Sequence, residues 1–191
     1  MVPLAIDPKH ALLAVAGNGP LALRRLLSLR AGGAEEALLF ADDPEPMLAE
    51  AAGVYLRGHL PDEAALADLH VLWIVDLPAP RAAALAGIAR RLRVLVNVED
   101  VPPLCDFHSV AEVRRGALLL TVSTNGAAPG LARLIRRQLE ARFGAEWEAR
   151  IEEVAALRRG WQREGVNMAE AMRRIEALVD ARCWLSPPMP R

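Results

Sequence analysis

An apolar run at 11–16 (ALLAVA) stops at Gly17, and a helical pattern begins three residues later at Pro20. Few folds begin this way. A continuous apolar run of that length, closed by glycine, reads as a strand buried on both faces, as in a parallel sheet. The segment 20–30 carries Leu21, Leu23, Leu26, Leu27 and Leu29, mostly at helical spacing, and Gly32 and Gly33 close it. A second apolar run at 37–40 ends at Asp42, Asp43 and Pro44. Strand, helix and strand thus follow one another within about 30 residues, the length of a βαβ unit.

The alternation continues. A short helix at 45–52, a weak strand at 54–56, a helix at 61–69, a strand at 71–75, a helix at 79–91 and a fifth strand at 94–98 are expected in turn. Strands separated by helical patterns predict an α/β fold, a Rossmann-like parallel sheet covered on both faces. After Asp100 the pattern changes. One more strand at 118–122, reached through a loop, leads by a short polar segment into a long helix at 131–143. The remainder, 145–185, reads as a small C-terminal helical part with breaks at Gly160 and Gly165. The tail at 186–191, with three prolines, is expected to fray.

Composition narrows the function classes. At 191 residues the chain buries roughly 70% of its unfolded surface without a disulfide or metal. Its formal net charge of -1 supplies no field that would draw it to nucleic acid or an anionic membrane. Aromatic residues at 4% are too few for a base-stacking platform. No apolar run is long enough to span a bilayer, and residues 1–10 lack the basic and apolar regions of a secretory leader. Two well-separated cysteines, Cys105 and Cys183, fit a reducing compartment, so a cytoplasmic location is expected. Cys105 and His108 lack a second ligand cluster, so no metal site is expected.

Three segments carry candidate chemistry. Gly17, Asn18, Gly19, Pro20, Leu21 and Ala22 form a GxGxxA fingerprint between a strand and a helix. Gly17 permits a tight turn, Gly19 lets backbone approach a pyrophosphate, and Ala22 lets the helix pack close. Asp42, about 20 residues on, stands where an acid holds the ribose hydroxyls of NAD rather than NADP. The same turn also serves as a plain strand–helix junction. Asn97, Glu99 and Asp100 lie at or beyond the carboxyl end of the fifth strand, where open α/β sheets bind ligands. A carboxylate there suits a general base, and equally an ordinary exit turn. The stretch Ser123, Thr124, Asn125, Gly126 before a helix makes an anion-binding corner or simply a helix cap. Arginine pairs at 24/25, 114/115 and 136/137 could grip carboxylates, although most such pairs are merely solvated.

Residues 96–107 (VNVEDVPPLCDF), 113–116 (VRRG), 121–126 (TVSTNG) and 128–133 (APGLAR) together resemble the precorrin-2 dehydrogenase / sirohydrochlorin ferrochelatase family, the N-terminal half of siroheme synthase. The resemblance covers about residues 4–140. It implies an NAD-binding domain over 1–112, a dimerisation segment over 113–145 and a helical domain over 146–191. It implies a homodimer whose cleft oxidises precorrin-2 to sirohydrochlorin with NAD+, and in some members then inserts Fe2+ as a second substrate. The family's essential aspartate falls on Asp100. Asn97, Arg114 and the corner 123–126 are the implied substrate-binding residues. The sequence departs from the family at Asn18, Glu99, Val101 and Asn125. The strand end Trp73, Ile74, Val75, Asp76 also lacks the usual Ala-Thr. A non-catalytic tetrapyrrole- or NAD-binding relative is the alternative, and a Rossmann sensor domain leaves the later motifs unexplained. No methyltransferase module is expected after Arg191.

Overall fold

The computed structural model describes residues 2–185, so the tail at 186–191 lies outside the described residues. The chain divides into two compact units, Met1–Ser109 and Val110–Arg191.

The first unit is a five-stranded parallel sheet of order β3-β2-β1-β4-β5. Its strands are β1 (Leu13–Ala16), β2 (Leu38–Phe40), β3 (Leu56–Arg57), β4 (Val71–Ile74) and β5 (Leu95–Val98). Helices α1 (Pro20–Ala31), α2 (Pro46–Ala52), α3 (Glu63–Ala67) and α4 (Ala79–Arg91) connect them. The order is that of a dinucleotide-binding sheet, with the chain reversing direction across the sheet between β1 and β4. Strand alternation sorts the core onto two faces. Ala14, Ala16, Leu72, Ile74, Val96 and Val98 meet α3 and α4. Leu13, Val15, Leu39 and Trp73 meet α1 and α2. On α4 the buried residues Ala82, Leu85, Ala86 and Ala89 keep helical spacing, and their small side chains let the helix lie close to the sheet.

The third strand differs in position from the sequence reading. Residues Gly53–Tyr55 form a 3-10 turn, and only Leu56–Arg57 pair with β2.

The second unit contains an antiparallel hairpin of β6 (Ala111–Arg115) and β7 (Leu118–Val122). β6 was expected to be loop. Its mixed polar sequence, with only Val113 buried, hides the strand from a periodicity reading. The two-residue connection places Gly116 first, at φ 54°, which is what a II′ hairpin loop requires. Helices α5 (Pro129–Arg142), α6 (Glu146–Arg163) and α7 (Met168–Ala181) follow. Gly160 does not break α6, because a glycine inside a helix costs about 1 kcal/mol and packing overrides it. The break falls at Gly165, φ 75°, and Asn167 caps α7 by accepting the Glu170 N–H at 3.0 Å.

Candidate active site at the carboxyl edge of the sheet

The turn after β1 brings backbone into close approach. The Gly17 N–H donates to the Phe40 carbonyl at 3.0 Å, and the Val75 N–H to the Ala16 carbonyl at 3.0 Å. A Cβ on Gly17 would collide with the Val75 carbonyl, so only glycine permits this approach of β1 to β4. Gly19 is the N-cap of α1, Pro20 opens the helix, and Ala22 is fully buried against the sheet. The first turn of α1 therefore directs its N–H groups into the crevice between the ends of β1 and β4.

Asp42 sits one residue beyond Ala41 at the end of β2. Its Oδ1 accepts from the Asn18 amide at 2.8 Å, and its Oδ2 accepts from Arg81 at 2.6 Å. The Arg81 hydrogen bond, seconded by that of Asn18, holds the Asp42 carboxyl below the usual carboxylate range. The Asn18 side-chain oxygen Oδ1 in turn accepts the Asp43 N–H at 3.3 Å. Asn18 thus ties the glycine turn to the exit of β2.

These residues fit a dinucleotide. A glycine pair without side chains, a helix N-terminus and an acid at the second strand are the three parts that hold pyrophosphate and ribose. Reasoning from the sequence alone missed one further group at this point. Asp76, just beyond β4, has φ 52°, and its Oδ2 accepts the Ala22 N–H at 2.9 Å. A Cβ on Gly19 would lie 2.9 Å from the same oxygen. The signal available in the sequence was position alone, since a polar residue at the carboxyl end of β4 faces the ligand crevice.

At the end of β5 the two adjacent carboxylates separate. The Val101 N–H closes a turn onto the Val98 carbonyl at 3.1 Å, with Asp100 at φ 59°. The segment is a tight turn, and the left-handed residue at its third position diverts the two side chains. Glu99 Oε2 accepts from Arg25 of α1 at 2.9 Å, and the pair is four-fifths buried. The Arg25 guanidinium also lies 5.9 Å from the centre of the Trp73 ring. Asp100 is exposed, and its carboxylate enters no hydrogen bond or ion pair among the described residues.

Asn97 is turned inward. It is 5% exposed, and its amide donates to the Phe107 carbonyl at 2.9 Å and meets the Cys105 sulfur at 3.5 Å. Asp106 fastens the same loop by accepting from the Val96 N–H at 3.0 Å and from Arg90 at 2.8 Å. Asn97 and Asp106 therefore fix the loop that follows Asp100.

In the second unit Arg114 is held by Glu112 through two contacts of 3.1 and 3.2 Å on the same strand. Ser123, Thr124, Asn125 and Gly126 form the corner between β7 and α5. The Asn125 N–H donates to the Ser123 hydroxyl at 3.2 Å and the Ala128 N–H to the Thr124 hydroxyl at 3.2 Å. Asn125 and Gly126 take φ 54° and 77°, a conformation that asparagine and glycine adopt most readily. Among the described residues no group of three His, Cys, Asp or Glu side chains is placed to hold a metal. Among them, too, no helix is long and apolar enough to cross a membrane.

Residues 4–111 match a family model described as "Putative NAD(P)-binding", and residues 115–142 match one described as "Sirohaem biosynthesis protein central". Siroheme synthase 1 of Serratia proteamaculans is 32% identical over 178 residues, covering 91% of this chain and 37% of that protein. The siroheme biosynthesis protein met8 of Schizosaccharomyces pombe is 35% identical over 88 residues, covering 46% of this chain and 33% of that protein. The matches thus cover 33–37% of the length of these relatives. Among solved structures, SirC, a precorrin-2 dehydrogenase, shares the fold with a TM-score of 0.73 at 21% identity, covering 97% of this chain and 93% of that one.

Proposed function

The chain belongs to the NAD(P)-binding family whose model matches residues 4–111, and we propose that it is an NAD-dependent precorrin-2 dehydrogenase of siroheme biosynthesis. The observation that carries the reading is the convergence of three features on one edge of one sheet. They are the side-chain-free turn at Gly17 and Gly19, the acid Asp42 and the unpaired Asp100. The central-segment match and the siroheme synthase relatives support the substrate.

In this reading the turn 17–22 holds the pyrophosphate of NAD+, and Asp42 accepts from the adenosine ribose hydroxyls. Bound NAD+ supplies a hydride acceptor. Asp100 takes the proton that leaves precorrin-2 as the ring system is oxidised, so the products are sirohydrochlorin, NADH and a proton. Its exposure and lack of partners leave both carboxylate oxygens available to the substrate, as a general base requires. Asn97 acts at one remove, by positioning the 105–107 loop. Arg114 and the corner 123–126 bind the acidic rim of the tetrapyrrole, Arg114 by charge and the corner by hydroxyls and N–H groups.

We assign residues 1–112, 113–145 and 146–191 to cofactor binding, dimerisation and a helical domain. The exposed Leu131, Leu134 and Ile135 on α5 give the dimer its apolar surface. Free Cys105 and Cys183 accord with a cytoplasmic protein. The same Asp100 carboxylate would suit removal of pyrrole N–H protons during Fe2+ insertion, which makes ferrochelatase activity a second reaction to test at this site.

The test is to mix the protein with precorrin-2 and NAD+ and follow NADH absorbance. Formation of NADH supports the enzyme. Binding of both compounds without NADH would favour a relative that keeps the site but not turnover.

A further inference from the structure

We propose that Asp76 is a built-in competitor for the pyrophosphate position, occupying the α1 N-terminus until a dinucleotide displaces it. The inference rests on the dinucleotide reading of the 17–22 turn. Three observations carry it. The Asp76 carboxylate accepts the Ala22 N–H at 2.9 Å, so it already uses a first-turn donor of the anion site. It reaches that donor across the mouth of the glycine turn, since Gly19 is the residue a Cβ would bring to 2.9 Å of it. Its backbone is held at φ 52°, a left-handed conformation that aims the side chain back over the turn.

The charges around the turn are unevenly answered. Asp42 is neutralised by Arg81 at 2.6 Å, whereas among the described residues no cation lies within ion-pair distance of Asp76. A pyrophosphate entering the turn therefore meets an unneutralised carboxylate on its own donor. The dinucleotide seats only after the side chain rotates away and gives up that hydrogen bond. Like charges about 4 Å apart cost a factor of about five in affinity even at the screening of bulk water, and more in a crevice. Asp76 thereby sets the affinity for phosphate-bearing ligands and leaves the nucleoside part unaffected.

Two substitutions separate charge from shape. Asp76→Asn keeps the volume, an acceptor oxygen and tolerance for positive φ. Asp76→Gly removes the side chain and relaxes the backbone, which protects folding. Both variants and the wild type are titrated with NAD+ by calorimetry and with adenosine by ligand-observed NMR, after thermal melts show that each is folded. Both substitutions are expected to tighten NAD+ by at least about fivefold and to leave adenosine unchanged. Equal or weaker NAD+ binding in the variants overturns the proposal while leaving the cofactor site intact. A parallel gain for adenosine overturns it as well, because the effect would then be general loosening. Absence of NAD+ binding in all three proteins overturns the dinucleotide reading and this proposal with it.

Discussion

Arg25 and Glu99 form a half-sandwiched ion pair, 2.9 Å apart, on the face of the sheet that carries Trp73. The pair joins α1, which begins at the glycine turn, to the end of β5, which delivers Asp100. It pairs one of two adjacent carboxylates and leaves the other exposed. A proton acceptor needs a free lone pair at the substrate; the guanidinium engages one oxygen of Glu99, whereas neither oxygen of Asp100 has a partner among the described residues. Asp100 is therefore the proposed base.

Gly19 is the position of the proposed cofactor site where a side chain would project towards the pyrophosphate. Gly19→Val places a branched side chain against the Asp76 carboxylate and over the line of approach of the pyrophosphate. NAD+ binding measured by calorimetry is expected to fall below detection, with the thermal midpoint only slightly lowered. Undiminished binding would contradict the site.

In the proposed site Asp42 and Arg81 together are expected to set the preference between the two nicotinamide cofactors. Asp42→Ala removes the ribose acceptor and frees Arg81 for a 2′-phosphate, so affinity shifts from NAD+ towards NADP+. Comparative titration with the two cofactors reads this ratio. In Arg81→Ala the Asp42 carboxyl loses the main cause of its lowered pKa. A carboxyl whose folded pKa is depressed contributes stability at higher pH and loses it as pH falls through that value. Carboxyl-carbon NMR is thus expected to show Asp42 titrating at higher pH in the variant than in the wild type.

Asn97→Ala leaves the Phe107 carbonyl without its buried donor. An unsatisfied buried group costs about 1–3 kcal/mol, which urea unfolding is expected to register as a lowered midpoint. Because Asn97 positions the loop after Asp100, the variant is expected to bind NAD+ normally. A normal midpoint would contradict the structural role.

The apolar stripe on α5 predicts self-association. Light scattering at micromolar concentration is expected to give twice the 20.7 kDa chain mass. Leu134→Glu, at a position 57% exposed in the single chain, is expected to give the monomer with an unchanged far-ultraviolet spectrum. A wild-type monomer would contradict the assignment.

Much of this was legible in the chain. The β1 run, the glycines and Asp42 lie within one βαβ unit, where local spacing dictates geometry, and the structure places them together. β5 and the CDF segment were legible in the same way, as apolar run followed by exit loop. What escaped depends on partners far away in sequence. Asp76 meets Ala22 across 54 residues, and Arg25 meets Glu99 across 74. No periodicity encodes such pairs. β6 escaped because a two-stranded hairpin buries too little to impose alternation, leaving only Gly116 to mark it.

The most direct measurement is NADH formation from precorrin-2 and NAD+ by the wild type, Asp100→Asn and Glu99→Gln, with NAD+ affinity determined separately for each. An amide in place of Asp100 cannot accept the proton, and loss of a general base costs about 10²–10⁴-fold in turnover. Asp100→Asn is expected to bind NAD+ as the wild type does and to lose turnover to that extent, while Glu99→Gln, altered only in its link to Arg25, keeps most of it. Near-wild-type turnover in Asp100→Asn, or a loss confined to Glu99→Gln, would contradict the assignment of the base.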